Sequence, residues 1–551
     1  MPTNAAGWQE KLNGYLTPRR QRYVLLALLV IYALALTYKI DEPFMRLRDE
    51  FNGASATSAW NWLVHGPLEI NFAMKTLVIS SASPAELTRV FFFDHPSLFI
   101  APTALIYWLL GVGEWQTRIV PILFSLLSLV VFWNLIARVF KTPWLTAASS
   151  FFYALFPMSF FYGSLFENTY FARFFILALF LAVITFEQER RRKDLIAICV
   201  ITFIGGLADW PFLFAAAAAW WYILLTKNYP RKKLLLFSTI GTLAASLSLY
   251  MLQIQSIAHT NPIAIIAALF WNGTVMEVNS HSMYHFLNMR LNFDLIGFSE
   301  IGLILALIGT IFYLRDNKKD KAKIFFLLMF VAPGLLTYFI FHRHSTAHQF
   351  YGFYIVPAIA LLAGYGLSRL RKTAHAALVA LLFFISCAWY GSILFSYSEF
   401  AADDIALFGR ANTLVPVSAT ICLAYPDMQF YLTPNRNVVD LPCPASSYFI
   451  LRQPQSFANI YPLFNIQQTF QIDDFWQNAR KISFSEAAFA EIIKSIPPLK
   501  NEIDLVLANR GPRNERIRAP KTAQAFIDEH KLKPLACSTN LCLYQRSEPA
   551  K

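Results

Sequence analysis

Two acidic patches follow the first apolar run of this 551-residue chain: Asp49-Glu50, nine residues past residue 40, then Asp94-His95-Pro96 some 45 residues further on. A positioned carboxylate takes or shares a proton while a bond is made. Carboxylates at a membrane surface, beside a long apolar body, point to chemistry on a substrate that lives in the bilayer. A channel or a plain scaffold has no need of them there. Taken singly, an outer-loop acid is ordinarily a solvated charge and a lone His-Pro ordinarily a turn. Together they carry more weight, because they bracket residues 59–66 (AWNWLVHG), an aromatic, His-bearing stretch expected to be helical and interfacial.

The elements that position these groups are membrane spans. The chain is 56% hydrophobic and 16% aromatic and only 15% charged, where soluble domains carry about a quarter of their residues as charge. The deficit lies in apolar runs of roughly 17 to 22 residues, enough to cross about 30 Å of hydrocarbon as helix. The net charge of +13 sits mostly in short loops between runs, as the positive-inside rule expects, so it argues for topology and against nucleic acid. Residues 23–40, preceded by Lys11, Arg19, Arg20 and Arg22 with no small-residue cleavage site after them, read as a signal anchor behind a cytoplasmic N-terminus (1–22).

Basic loops then fix the topology: Arg138 and Lys141; Arg190 to Lys193; Lys227 with Arg231 to Lys233; 315–323 (RDNKKDKAK); and 369–372 (RLRK). Spans are expected near 23–40, 118–137, 144–163, 170–187, 195–209, 211–226, 234–254, 298–314, 324–341, 352–368 and 376–397. Asp209-Trp210-Pro211 breaks the run 195–226 in two, and Asp209 reads as a solvated turn residue. Residues 97–112 are short and interrupted by Pro102, and a crossing there would flip every later basic loop. They are expected along the interface, which makes 41–117 one outer loop.

Beyond residue 397 the apolar runs stop. Short β-rich runs (420–424, 503–508, 541–544) alternate with helical stretches (486–496, 522–531), the pattern of a small α/β domain. The fold class is thus an all-α polytopic membrane domain of about eleven helices (range 11–13) over 23–397, plus a soluble outer α/β domain over 398–551. Four cysteines fall in the outer domain (Cys422, Cys443, Cys537, Cys542), where an oxidising compartment would permit disulfides; Cys537 and Cys542 are close enough to close a tight loop, though the pairing stays open. Cys199 and Cys387 lie in spans. No CxxC or HExxH metal motif occurs.

The order of an Asp-Glu pair, about 45 residues, Asp-His-Pro-x-Leu, an interfacial aromatic helix, a glycine-to-arginine step (Gly111 to Arg118) and a span resembles the GT-C integral membrane glycosyltransferases. More narrowly it is similar to the branch of polyprenyl-phosphate-mannose protein mannosyltransferases and lipid A aminoarabinose transferases. Residues 157–173 (PMSFFYGSLFENTYFAR) and 350–363 (FYGFYIVPAIALLA) also resemble that branch's later segments. Two departures stand out: the second proline of the His-Pro-Pro element is Ser97 here, and Asn52 stands where the aminoarabinose branch commonly has arginine.

The resemblance implies a GT-C-like fold and a sugar donor joined to a polyprenyl phosphate, its tail held in the membrane. An acceptor hydroxyl or amine, on a lipid, glycan or protein, loses a proton as the phosphate leaves, and attack opposite the phosphate inverts the anomeric centre. Asp49 is the candidate general base, with Asp94 orienting the acceptor or sharing that role. Glu50, His95 and Arg173 are candidate substrate contacts. The leaving phosphate calls for fixed cations or donors: Arg343, His344 and His348 in the loop HRHSTAHQ, with Lys75 and Arg290 behind them. A headgroup-binding basic patch is the plainer reading of that loop. Glu167 and Arg173 are expected to form a structural ion pair. No cofactor is indicated, although two His-bearing loops leave room for a divalent cation.

The competing class is a transporter or flippase of a lipid-linked sugar. Such a protein is expected to carry ionisable or broken elements at mid-membrane, whereas this chain gathers its acids at one surface. The expected setting is a bacterial inner membrane, with the C-terminal domain in the periplasm.

Overall fold

Proline stands in the first turn of several helices, where its missing N–H costs no hydrogen bond, among them Pro18, Pro143, Pro157, Pro211 and Pro357. The computed structural model describes residues 13–44, 49–74, 95–226, 229–258, 261–267, 283–370 and 373–396. Beyond these it describes 406–407, 410–411, 413–415, 420–423, 437–440, 448–452, 532–537 and 541–546. In chain order the helices are α1 (Pro18–Leu36), α2 (Asp49–His65), α3 (Ile100–Leu110), α4 (Glu114–Phe140), α5 (Pro143–Leu155), α6 (Pro157–Tyr162), α7 (Asn168–Glu189) and α8 (Arg192–Gly206). Then come α9 (Pro211–Leu225), α10 (Lys232–Ala258), α11 (Met283–Phe298), α12 (Glu300–Asn317), α13 (Lys321–Ile340) and α14 (His342–Ala347). A 3-10 turn (Gln349–Tyr354), α15 (Val356–Leu367) and α16 (Thr373–Ser396) complete the bundle.

Each of the eleven expected spans coincides with one of these helices or, for 144–163, with α5 and α6 in sequence. Among the described residues, five helices are long and apolar enough to cross a membrane: α4, α7, α10, α13 and α16. The pair α11 and α12, bent by 100° at their junction, makes a sixth if it is one span. The remainder fall short of that test for physical reasons. Helices α8, α9 and α15 have 15, 15 and 12 residues, roughly 18–23 Å of helix at 1.5 Å per residue. Helix α1 carries Arg19, Arg20 and Arg22 in its first turns. Helix α3, at 11 residues, is likewise too short to cross, as expected for 97–112.

The core is aromatic. Phe152 packs edge-on to Phe383 at 4.5 Å between ring centroids, and Tyr153 stacks on Phe132 at 4.7 Å. Helix α15 lies against α12 and α5, and α4 against α7. The α12–α15 crossing depends on glycine: a Cβ at Gly309 would strike the Leu362 carbonyl oxygen, and one at Gly366 the Leu305 carbonyl oxygen. Polar residues within the helices bond back one turn, as Thr337 does to the Pro333 carbonyl (2.6 Å) and Thr310 to that of Ala306 (2.8 Å). Outward faces expose Phe237, Trp221, Trp389 and Leu307, a surface suited to lipid. The chain is an integral membrane protein.

The C-terminal residues that the structure describes form a five-stranded mixed sheet in the order β2-β1-β3-β5-β4, from β1 (Thr420–Leu423), β2 (Asn437–Asp440), β3 (Tyr448–Arg452), β4 (Leu532–Cys537) and β5 (Leu541–Arg546). Strand β1 runs parallel to β2 and β3; β5 is antiparallel to β3 and β4. The runs expected at 420–424 and 541–544 are strands, and the register sets Cys537 opposite Cys542. The expected strand at 503–508 and helices at 486–496 and 522–531 lie outside the described residues, as does Cys443. Cys199 and Cys387 are free thiols within α8 and α16.

Candidate active site

Asp49 and Glu50 form the first turn of α2, the end of a helix that favours negative charge. One turn on, Asn52 is fully buried, and its side-chain oxygen accepts the backbone N–H of Phe166. That bond ties the Asp-Glu helix to the loop carrying Glu167. An arginine at position 52 would need a different arrangement, so the departure from the aminoarabinose pattern has a structural use here. Further along α2, Thr57 and Ser58 bond back to the carbonyls of Gly53 and Ala54 (2.9 Å each), and the Trp62 indole donates to the Ala73 carbonyl (2.8 Å).

The second acidic element begins, for the described residues, at His95; Asp94 and Lys75 lie outside them. Ser97, the other departure, donates to the Phe72 carbonyl and accepts from Gln253 Nε2 at 3.2 Å. Gln253 also donates to the Asn71 and Phe72 carbonyls (2.9 and 2.6 Å). Ser97 thus joins the end of the α2 segment to α10, contacts that a proline could not make.

Asp209 corrects the sequence reading. It is 4% exposed, a buried carboxylate in the turn between α8 and α9. Its Oδ1 lies 2.6 Å from His95 Nδ1 and accepts the Trp210 backbone N–H at 2.7 Å; its Oδ2 accepts the Tyr354 hydroxyl. The sequence did mark the helix break at 209–211. The partners that bury the acid stand 114 and 145 residues away, and only a resemblance between loop ends or a second sequence would have hinted at them.

Arg173 is also spent differently from expectation. It is 1% exposed, with its guanidinium 3.4 Å from Ser159 Oγ and the Tyr32 hydroxyl and 3.3 Å from Ser125 Oγ. The same group lies 3.4 Å over the Phe353 ring. The expected Glu167–Arg173 ion pair is therefore replaced by hydroxyls and an aromatic face. Glu167 is itself 1% exposed, and it lies within electrostatic reach of the Tyr354 hydroxyl.

The loop HRHSTAHQ becomes α14 and the start of the 3-10 turn. His344 Nδ1 is 3.4 Å from the Tyr351 hydroxyl, and the His348 ring stacks on Phe350 at 5.4 Å. Arg343 lies on α14 between His342 and His344; its side chain is outside the described residues. Burial pushes the His342 imidazole below its ordinary pKa. Arg290 holds this loop rather than standing free beside it: it donates to the Ser345 and His348 carbonyls (3.2 Å each) and to Asp294 (2.7 Å), and lies 4.0 Å over Tyr338. Arg118, fully buried, donates to the Ile40 carbonyl at 2.9 Å and to that of Glu42, fixing the stretch that follows α1.

Four segments thus meet at one end of the bundle: the start of α3, the Glu167 loop, the Asp209 turn and the 3-10 turn before α15. Tyr354 and Gln349, which accepts the Tyr162 hydroxyl at 2.6 Å, knit the last of these to the others. Among the described residues no three His, Cys, Asp or Glu side chains gather as a metal site would require.

Residues 94–254, the stretch that opens on the Asp-His-Pro element and contains Glu167, Asp209 and Gln253, match the sequence profile of the dolichyl-phosphate-mannose-protein mannosyltransferase family. The whole architecture is similar to that of ArnT from Cupriavidus metallidurans in the apo state, at 14% identity and a TM-score of 0.56, covering 95% of this chain and 97% of that one. ArnT from the same organism bound to undecaprenyl phosphate aligns at 13% identity with the same coverage and TM-score. At such identities the likeness is one of fold. No curated protein sequence matches the chain. The resemblance to GT-C glycosyltransferases, first carried by short motifs, therefore extends over a 161-residue segment (94–254) and the fold of the chain.

Proposed function

We infer that the protein is a glycosyltransferase that moves a sugar from a polyprenyl-phosphate donor to an acceptor at the outer face of the membrane. The observation that carries this reading is the convergence at one end of the bundle of the mannosyltransferase-like segment's polar residues (His95, Glu167, Asp209) with the helix that begins at Asp49-Glu50. An ArnT of the same fold binds undecaprenyl phosphate, which supports a donor of that class.

In this reading Asp49 takes the acceptor proton as the acceptor oxygen or nitrogen attacks the anomeric carbon. The bond from that carbon to the phosphate oxygen breaks, and its electron pair leaves with the polyprenyl phosphate. Attack from the side opposite the phosphate inverts the centre. Asp94 orients the acceptor, and Glu50 and His95 contact the sugar or its phosphate. Arg343, His344, His348 and Lys75 supply positive charge or donors to the leaving group. Arg173, enclosed by hydroxyls and rings, supports the floor of the site. The chain lies in a bacterial inner membrane, N-terminus in the cytoplasm, with the sheet-bearing residues 398–551 as a periplasmic domain.

The test is turnover by the full chain in lipid nanodiscs, following release of free polyprenyl phosphate from a panel of undecaprenyl-phosphate sugars with membrane extract as acceptor source. Release with one or more donors, and a product of inverted anomeric configuration, is the expected result. No release with any donor, alongside protein-dependent movement of lipid-linked sugar between leaflets, would replace the transferase by a flippase.

A further inference from the structure

Asp209 has a role that neither the motifs nor a solvated turn accounts for. A buried acid costs free energy unless its oxygens are satisfied, and here three groups converge on two oxygens: His95 Nδ1, the Trp210 backbone N–H and the Tyr354 hydroxyl. They come from three separate parts of the chain. An ionised carboxylate only accepts hydrogen bonds. With the carboxylate in its ionised form, His95 Nδ1, 2.6 Å from Oδ1, is the nitrogen that carries the proton. The ring's orientation is then set, and Nε2 becomes the nitrogen through which His95 acts. The His95 side chain is 24% exposed while that of Asp209 is 3% exposed, so the acid sits behind the ring on the protein side.

We propose that Asp209 is the positioning residue of His95: it fixes Nδ1 as a donor and locks the Asp-His-Pro loop to the α8–α9 turn, with Tyr354 holding the other carboxylate oxygen. The arrangement follows the general logic by which a buried carboxylate selects the tautomer of a working histidine. The kinetic part of this proposal rests on the transferase reading above; the tautomer does not.

Asparagine at 209 separates positioning from packing. It keeps the size but has a single acceptor oxygen, so the three bonds cannot all be kept: Oδ1 serves both His95 Nδ1 and the Trp210 N–H, and Oδ2 serves Tyr354. Asp209→Asn is expected to lower kcat for polyprenyl phosphate release roughly ten- to a hundredfold, the scale on which carboxylate partners of functional histidines act, with the donor KM moved less than about threefold. Because the acid works through the ring, Asp209→Asn in a His95→Gln background should cost nothing further. In parallel, 15N-histidine NMR of the full chain in nanodiscs, with the His95 signals assigned by their loss in His95→Gln, should show Nδ1 protonated in the native chain and that preference lost in Asp209→Leu, which offers Nδ1 no acceptor. Full activity in Asp209→Asn, additive losses in the double variant, or an unprotonated Nδ1 in the native chain would each overturn the proposal. A native chain inactive on every donor yet showing protonated Nδ1 would overturn the transferase reading and uphold the Asp209–His95 arrangement. Should Asp209→Asn fail to fold, Tyr354→Phe provides the second variant: it removes one donor from Oδ2, should loosen the pair, and should give a smaller loss that is again absent in the His95→Gln background.

Discussion

Asn52 and Ser97 stand where the resembling motifs carry other residues, and both have buried partners that make the substitution intelligible. Asn52→Ala would leave the Phe166 N–H without its acceptor, a loss of about 1–3 kcal/mol for a buried amide. The expected outcome is a lower thermal unfolding midpoint in detergent together with reduced turnover, because the junction joins the Asp-Glu helix to the Glu167 loop. An unchanged midpoint would show that the bond contributes little. The helical character of 59–66 was legible in the sequence, but the start of that helix ten residues earlier, at Asp49, was not. The burial of Asp209 and the hydroxyl cage around Arg173 were not legible either, because each draws on distant parts of the chain: partners 114 and 145 residues away for Asp209, and Tyr32, 141 residues away, for Arg173.

At the scale of elements, Arg290 on α11 is the pin of the α14 loop. Arg290→Gln should free the Ser345 and His348 carbonyls and leave Asp294 to the Tyr338 hydroxyl. Hydrogen exchange should quicken selectively at 342–349, and the donor KM should rise if that loop contacts phosphate; exchange unchanged there would contradict the pinning role. The same loop supplies a pH dependence. Burial holds His342 below its ordinary pKa, so the folded loop favours the neutral ring. Its contribution to stability is complete above the unfolded-state pKa and is lost as pH falls through the lower folded value. Protection of α14 amides should therefore decline as pH drops below the ordinary histidine range, and His342→Gln should remove that decline. The loop's basic character was visible in HRHSTAHQ, while its short helix and its anchoring by α11 depend on contacts across 55 residues or more.

For the whole molecule, apolar periodicity located nearly every helix, because a bilayer demands long runs and basic loops mark where they end. It did not settle which helices cross, since α8, α9 and α15 are short and α11 meets α12 at 100°. The tight crossing of α12 on α15 could not be read from isolated glycines, yet it governs packing. Gly309→Leu and Gly366→Leu should each destabilise the bundle by at least the 1–3 kcal/mol typical of overpacking, seen as a lowered unfolding midpoint, whereas Gly241→Leu, at a position with open space around it, should be near neutral. The function proposed for this bundle is sugar transfer with Asp49 as the general base. The most direct measurement compares polyprenyl phosphate release by the native chain with release by Asp49→Asn, both folded in nanodiscs and given the same donor. A loss in kcat of about 10²–10⁴, with donor binding retained, is the predicted result for a general base. Equal turnover by the two proteins would contradict Asp49 as the base and move that role to Asp94, and absence of turnover by the native chain would contradict the transfer reaction itself.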